Sequence, residues 1–199
     1  MSITKCLATI ALSAFASLSL AAGNPEAGEE KAALCAGCHG DDGNAAAPIF
    51  PKLAGQHASF LTKQLHDFRS QKRVEPTMNA MAEPLTDEDI QDLAAFYTSK
   101  KITPEEAAPN KAGESLYQSG HPATGVPACT GCHGPKGRGN PSAGFPALHG
   151  QYAAYLEKTL HDFRSGERAN DNNAVMRQVA KHMSDEEITA VADYASTLK

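Results

Sequence analysis

Two five-residue runs hold the side chains best suited to chemistry: Cys35-Ala36-Gly37-Cys38-His39 and, 94 positions on, Cys129-Thr130-Gly131-Cys132-His133. Three uses fit such a run. Structural zinc needs two cysteine pairs converging on one tetrahedron, and a redox dithiol sits among alternating strands and helices. A covalently attached haem instead takes its two vinyl groups on thiols at i and i+3, and the imidazole that follows comes beneath the ring to the iron. A redox dithiol gives the histidine no such task. No strand alternation surrounds either run, and, once the N-terminal segment holding Cys6 is set aside as an export signal, free thiols would oxidise and the two runs use every remaining cysteine. The reading is therefore two covalent haems, one on Cys35 and Cys38 and one on Cys129 and Cys132, with His39 and His133 beneath them.

The fifth cysteine, Cys6, lies in "MSITKCLATIALSAFASLSLAA", where one lysine precedes an apolar run of about 16 residues and small side chains at Ser19 and Ala21. That run is short of the ~20 residues a spanning helix needs. Residues 1–21 read as an export signal cleaved before Ala22.

The rest of the chain is one module written twice. "FPKLAGQ" at 50–56 returns as "FPALHGQ" at 145–151, "LHDFRS" at 65–70 returns at 160–165, and "LTDEDI" at 85–90 returns as "MSDEEI" at 183–188. The offset drifts only from 94 to 98, the mark of a tandem duplication. Between the copies "KKITPEEAAPNK" is charged and proline-bearing, so the expected layout is residues 22–100, a linker at 101–110, and residues 111–199.

Each copy has a helical plan. Helices are expected over Pro25–Cys35 and Lys111–Gln118, over Ala58–Ser70 and Tyr152–Ser165, and after the capping patterns Thr86 with Asp89 and Ser184 with Glu187. Behind those caps Ile90, Leu93, Ala94 and Tyr97, and Ile188, Val191, Ala192 and Ala195, fall at helical spacing. A module of about 80–90 residues with few large apolar side chains buries too little surface to stand alone. A haem would complete its core. The glycines after each CxxCH allow tight backbone turns, and a proline carbonyl from Pro51-x-Leu53-x-Gly55 or Pro146-x-Leu148-x-Gly150 would fix the histidine's other nitrogen.

The sixth iron position falls to a methionine by register. Met78 lies 8 residues before Thr86 and Met176 lies 8 before Ser184, whereas Met81 stands opposite Val179 and Met183 opposite Leu85. Met78 and Met176 are expected as ligands, with Met81 and Met183 as apolar fillers. His149 and His182 are the imidazoles that could take a methionine's place.

With these residues in view, the mature chain resembles the dihaem cytochromes c of the cytochrome c4 family. The likeness rests on both CxxCH runs, the PxLxG segments, "LHDFR" and the methionine before each final helix. It implies an all-α fold of two tandem class I cytochrome c domains, each a small helical bundle around a covalent haem. It implies thioether links at Cys35, Cys38, Cys129 and Cys132, and iron ligation by His39, Met78, His133 and Met176. It further implies a periplasmic one-electron carrier, not an enzyme, working between respiratory-chain donors and a terminal oxidase. Peripheral association with the membrane is compatible with that role, and no nucleic-acid partner is expected. The alternatives are the cytochrome subunit of a flavin-dependent sulfide dehydrogenase, or a dihaem redox enzyme. One departure from the internal repeat is visible: the connection from "LHDFR" to the methionine is three residues longer in the second copy.

Other polar residues receive plainer readings. His66 and His161 are expected on helix surfaces, and His57, His121, His149 and His182 in solvent. Arg69 and Arg164 suit either a haem propionate or a helix surface. From Ala22 to Ala108 the chain carries 14 Asp plus Glu against 8 Lys plus Arg, a balance of −6, whereas from Pro109 to Lys199 the count is 9 against 9. The haem of the acidic half is accordingly expected to have the lower potential.

Overall fold

The computed structural model describes residues 23–199; the export signal expected at 1–21 lies outside the described residues. Helices α1 (Pro25–Ala32), α2 (Ala36–His39), α3 (Ala58–Arg69), α4 (Pro76–Ala82) and α5 (Asp87–Ser99) make the first copy. Helices α6 (Lys111–Ser119), α7 (Thr130–His133), α8 (Ala153–Ser165), α9 (Val175–Ala180) and α10 (Asp185–Ser196) make the second. Two isolated bridges, His121 with Val126 and Asn140 with Phe145, are the only β pairing among the described residues. No helix among them is long and apolar enough to cross a membrane.

In each copy the first and last helices cross at a glycine. A methyl group added to Gly28 would sit 2.1 Å from the Asp92 carbonyl oxygen, and one on Gly113 would sit 1.8 Å from that of Ala190. Only glycine permits this approach. The last helix starts where its sequence says it should: Thr86 and Asp89, and Ser184 and Glu187, form reciprocal capping boxes. The apolar stripes behind them are buried throughout, from Ile90 to Tyr97 and from Ile188 to Ala195. A fully buried isoleucine such as Ile90 or Ile188 contributes about 1.5–3 kcal/mol over an exposed one.

The two copies meet through reciprocal contacts, the two glutamines each gripping the corresponding position of the other copy. Gln56 Nε2 donates to the Ala147 carbonyl and its Oε1 accepts from the Ala147 N–H, both at 2.9 Å. Gln151, its repeat partner, does the same to Lys52, at 2.8 and 2.9 Å. The flanking pair follows suit, with His57 Nε2–H donating to the Arg138 carbonyl and the Tyr152 hydroxyl to that of Ala45. Farther out, Gln64 Oε1 accepts from both Arg73 and Arg168, while Arg73 also donates to the Tyr155 hydroxyl at 3.1 Å. Burial alone would raise the Tyr155 pKa, but the two guanidiniums bring it down to about 7. The connecting segment runs along this seam, and Ile102 lies where a side chain at Gly55 or Gly150 would reach it.

Candidate functional site

Helices α2 and α7 are single turns that arrange the reactive side chains. His39 N–H bonds to the Cys35 carbonyl at 3.0 Å and His133 N–H to that of Cys129 at 2.9 Å. One turn therefore sets each cysteine pair on one side, as i and i+3 neighbours, with the histidine next along. All four thiols are free. Burial pushes the Cys35 thiol up and that of Cys129 up to about 11, opposite to the depressed pKa of a redox-active thiol. Among the described residues no three His, Cys, Asp or Glu side chains gather into a metal cluster, so the two cysteine pairs do not share a zinc tetrahedron.

Both histidines are buried, each 6% exposed. Nδ1–H of His39 donates to the Pro51 carbonyl and that of His133 to the Pro146 carbonyl, each at 2.9 Å. Burial lowers both imidazole pKa values, so each ring is neutral with its proton on Nδ1 and a lone pair on Nε2. The proline carbonyls are aimed by the turns after the cysteines. Gly43 O accepts from Leu53 N–H and Gly137 O from Leu148 N–H, both at 2.7 Å. Gly43 has φ +82°, and a methyl group there would strike the Tyr97 ring at 2.7 Å. Phe50 and Phe145 meet the two imidazoles at centroid separations of 6.3 and 6.2 Å.

The methionines fall on two short helices that the sequence pattern did not reveal. Met78 is half-buried on α4 and Met176 half-buried on α9. The register extends through them, because Ala82 and Ala180, the same step before each cap, are both fully buried. Met183 fills the second core as expected. Met81 does not fill a gap: it is 39% exposed, since its helix turns that side toward solvent.

The arginines prove to be latches. Arg69 donates to the Leu85 carbonyl at 2.7 Å and to His66 Nδ1 at 2.9 Å, and pairs with Asp87. Arg164 repeats this on the Met183 carbonyl at 2.9 Å, on His161 Nδ1 at 3.0 Å and on Asp185. Each ties the middle helix to the turn before the last helix. Three histidines expected in solvent also have partners: His57 crosses the domain seam, His121 Nδ1 meets Glu187, and half-buried His149 donates to the Gly137 carbonyl. The partners of His57 and His121 lie 81 and 66 positions away, so no local pattern announces them.

The Cytochrome c family profile matches residues 26–100 and again 111–199. Cytochrome c4 of Thiocapsa roseopersicina is 52% identical over 180 residues, covering 88% of this chain and 93% of that protein. The chain belongs to the cytochrome c4 family. The crystal structure of reduced recombinant cytochrome c4 from Pseudomonas stutzeri superposes with a TM-score of 0.87 at 46% identity, covering 89% of this chain and all of that one. A protein of Stutzerimonas stutzeri (strain A1501) named thiosulfate dehydrogenase electron acceptor is 41% identical, covering 85% of this chain and 81% of its own. As a cytochrome c4 family member the chain is an all-α dihaem electron carrier with two covalent haem c groups. The residues fit that cofactor: paired free thiols one turn apart, beside a neutral imidazole with its Nδ1 proton committed to a carbonyl.

Sequence reasoning passed over Gln56 and Gln151. Both end a repeated segment, 50–56 and 145–151, where recurrence reports only common origin. A glutamine kept beside two glycine-bearing turns was the available signal.

Proposed function

We propose that the chain is a periplasmic carrier passing single electrons between respiratory-chain donors and a terminal oxidase. In this reading Cys35, Cys38, Cys129 and Cys132 form the thioethers, His39 and Met78 hold one iron, and His133 and Met176 hold the other. Residues 22–100 and 111–199 are the two domains and 101–110 the linker. The observation that carries the reading is the pair of His–Pro carbonyl bonds, which lock each ring in the tautomer a metal ligand needs. A haem held by imidazole and thioether supplies outer-sphere electron transfer, because soft sulfur favours Fe(II) and no position is left for substrate. The chain's own part is to keep both ligands fixed, so that little rearrangement accompanies a change of charge. The relative named as an acceptor for thiosulfate dehydrogenase supports a second reading, in which the donor is a sulfur-oxidising enzyme.

Replacing Met78 or Met176 with alanine should remove that haem's far-red sulfur-to-iron band and open it to CO. Replacing Met81 should do neither, and loss of the band in the Met81 variant alone would reverse the assignment in the first domain. Reduction assays with a thiosulfate-oxidising enzyme and with a quinol-oxidising complex separate the two donors.

A further inference from the structure

The peptide unit between Pro51 and Lys52 is bonded at both ends. Its carbonyl accepts from His39 Nδ1–H at 2.9 Å, and its N–H donates to Gln151 Oε1 at 2.9 Å. The unit between Pro146 and Ala147 is used in the same way, by His133 at 2.9 Å and by Gln56 Oε1 at 2.9 Å. Each chain of bonds therefore starts at a histidine in one domain and ends at a glutamine in the other. The glutamines are themselves fixed: Gln56 Oε1 also accepts from His57 N–H and Gln151 Oε1 from Tyr152 N–H, both at 3.0 Å, and each Nε2 donates back across the seam. Gln56, Gln151 and Lys52 are all buried, so water is a poor substitute.

Resting on the reading that His39 and His133 ligate iron, we infer that Gln151 and Gln56 are positioning residues for the axial histidine of the opposite domain, acting through one shared peptide unit. The physical basis is amide resonance. A peptide whose N–H is bonded to an oxygen shifts electron density toward its own carbonyl oxygen, and bonds in such a chain strengthen one another. The carbonyl then accepts more strongly from Nδ1–H, and the imidazole becomes a more basic ligand. A more basic ligand favours Fe(III). Loss of the glutamine oxygen should therefore raise the potential, and raise it in the domain that was not mutated.

The test uses full-length holoprotein carrying Gln151→Met or Gln56→Met, which keep the length of the side chain and remove its amide. Both potentials are assigned by NMR during stepwise reduction, and solvent exchange of each axial Nδ1–H is followed through its hyperfine-shifted signal. Gln151→Met should raise the potential of the haem on Cys35 and Cys38 and speed exchange at His39, leaving the other haem in place. Gln56→Met should give the mirror result. Tyr155→Phe loosens the same seam without touching either relay, and should move neither histidine signal. Equal shifts of both haems, shifts confined to the mutated domain, or an equal response to Tyr155→Phe would overturn the crossed relay while leaving ligation intact. If the unaltered protein has no hyperfine-shifted imidazole signal, the ligation reading fails and takes the relay with it.

Discussion

The two methionine segments do one task with different parts. In the first domain Asn79 clamps the approach to α4, with Nδ2 donating to the Phe68 and Arg73 carbonyls at 2.7 and 2.8 Å and Oδ1 accepting from Glu75 N–H at 2.8 Å. Glu75 in turn caps the helix by accepting from Met78 N–H at 2.8 Å. In the second domain the residue after the methionine is Arg177, and it binds Asp171 through its Nε at 2.8 Å and its backbone N–H at 3.1 Å. The approach there bends through Asn173 at φ +54° and Ala174 at φ +57°. A left-handed alanine costs roughly 1–2 kcal/mol. The three extra residues of the second copy were thus absorbed by strain and one ion pair, while the register from methionine to cap stayed unchanged. What is held constant is the eight-residue step from methionine to cap.

The largest effect is expected from the first clamp. Asn79→Ala removes three hydrogen bonds at once and should destabilise the first domain by about 2–3 kcal/mol, read by urea unfolding followed at its far-red band. An equal loss at the second haem would show that the clamp serves the whole molecule, which would break the contrast.

Next in size is relief of the strained bend. Ala174→Gly should stabilise the second domain by up to about 1 kcal/mol, the gain at a left-handed site being offset by the greater freedom of glycine when unfolded. Lower stability in the same unfolding assay would mean that the strain at Ala174 is smaller than the cost of glycine's added freedom.

The charge contrast comes third. The balance of −6 in the first half against zero in the second should favour Fe(III) at the first haem by on the order of 1 kcal/mol, roughly some tens of millivolts for one electron. Stepwise reduction followed by NMR should find the haem on Cys129 and Cys132 reduced first, with the gap narrowing as salt is raised. Earlier reduction of the haem on Cys35 and Cys38 counts against the charge argument.

The smallest effect separates the helix crossings. Lys31 ties α1 to α5 through Asp92 at 2.6 Å and Asp89 at 2.9 Å, while in the second domain the ties are uncharged donors, Asn110 to Asp193 and Gln118 to the Tyr194 hydroxyl, each at 3.3 Å. The Thr86 hydroxyl, and then Lys31, hold the Asp89 carboxyl down to about 2. A depressed carboxylate stabilises above its ordinary pKa and loses that contribution as pH falls through the folded value, here between about 4 and about 2. Lys31→Met should raise the acid-unfolding midpoint of the first domain and leave that of the second alone.

How far the sequence reaches follows from what each signal depends on. The caps at Thr86 and Ser184, the stripes behind them, and the His–Pro pairing were legible because each depends on residues within about a dozen positions of one another. The helices bearing Met78 and Met176 were not, since each is under three turns long and its ends are set by Asn79 and Asp171 reaching across a loop. The crossing glycines, Gly28 and Gly113, carry no local signal of their role. Their necessity lies in a helix some 64 to 77 positions away. Arg69 and Arg164 suited two roles equally from their chemistry, and their bonds to the carbonyls before the last helices join residues 16 and 19 positions apart, beyond any local pattern.

The glutamine seam records how such a chain can arise. A contact in which each half grips the other's corresponding backbone has the geometry of a homodimer, and two unlinked copies of the module would already present matching surfaces. Joining them through a short connection replaces concentration-dependent pairing with an intramolecular encounter at an effective concentration on the order of millimolar. Duplication followed by fusion then fixes the stoichiometry at two, and leaves each copy free to accumulate its own charge and its own way of holding a methionine.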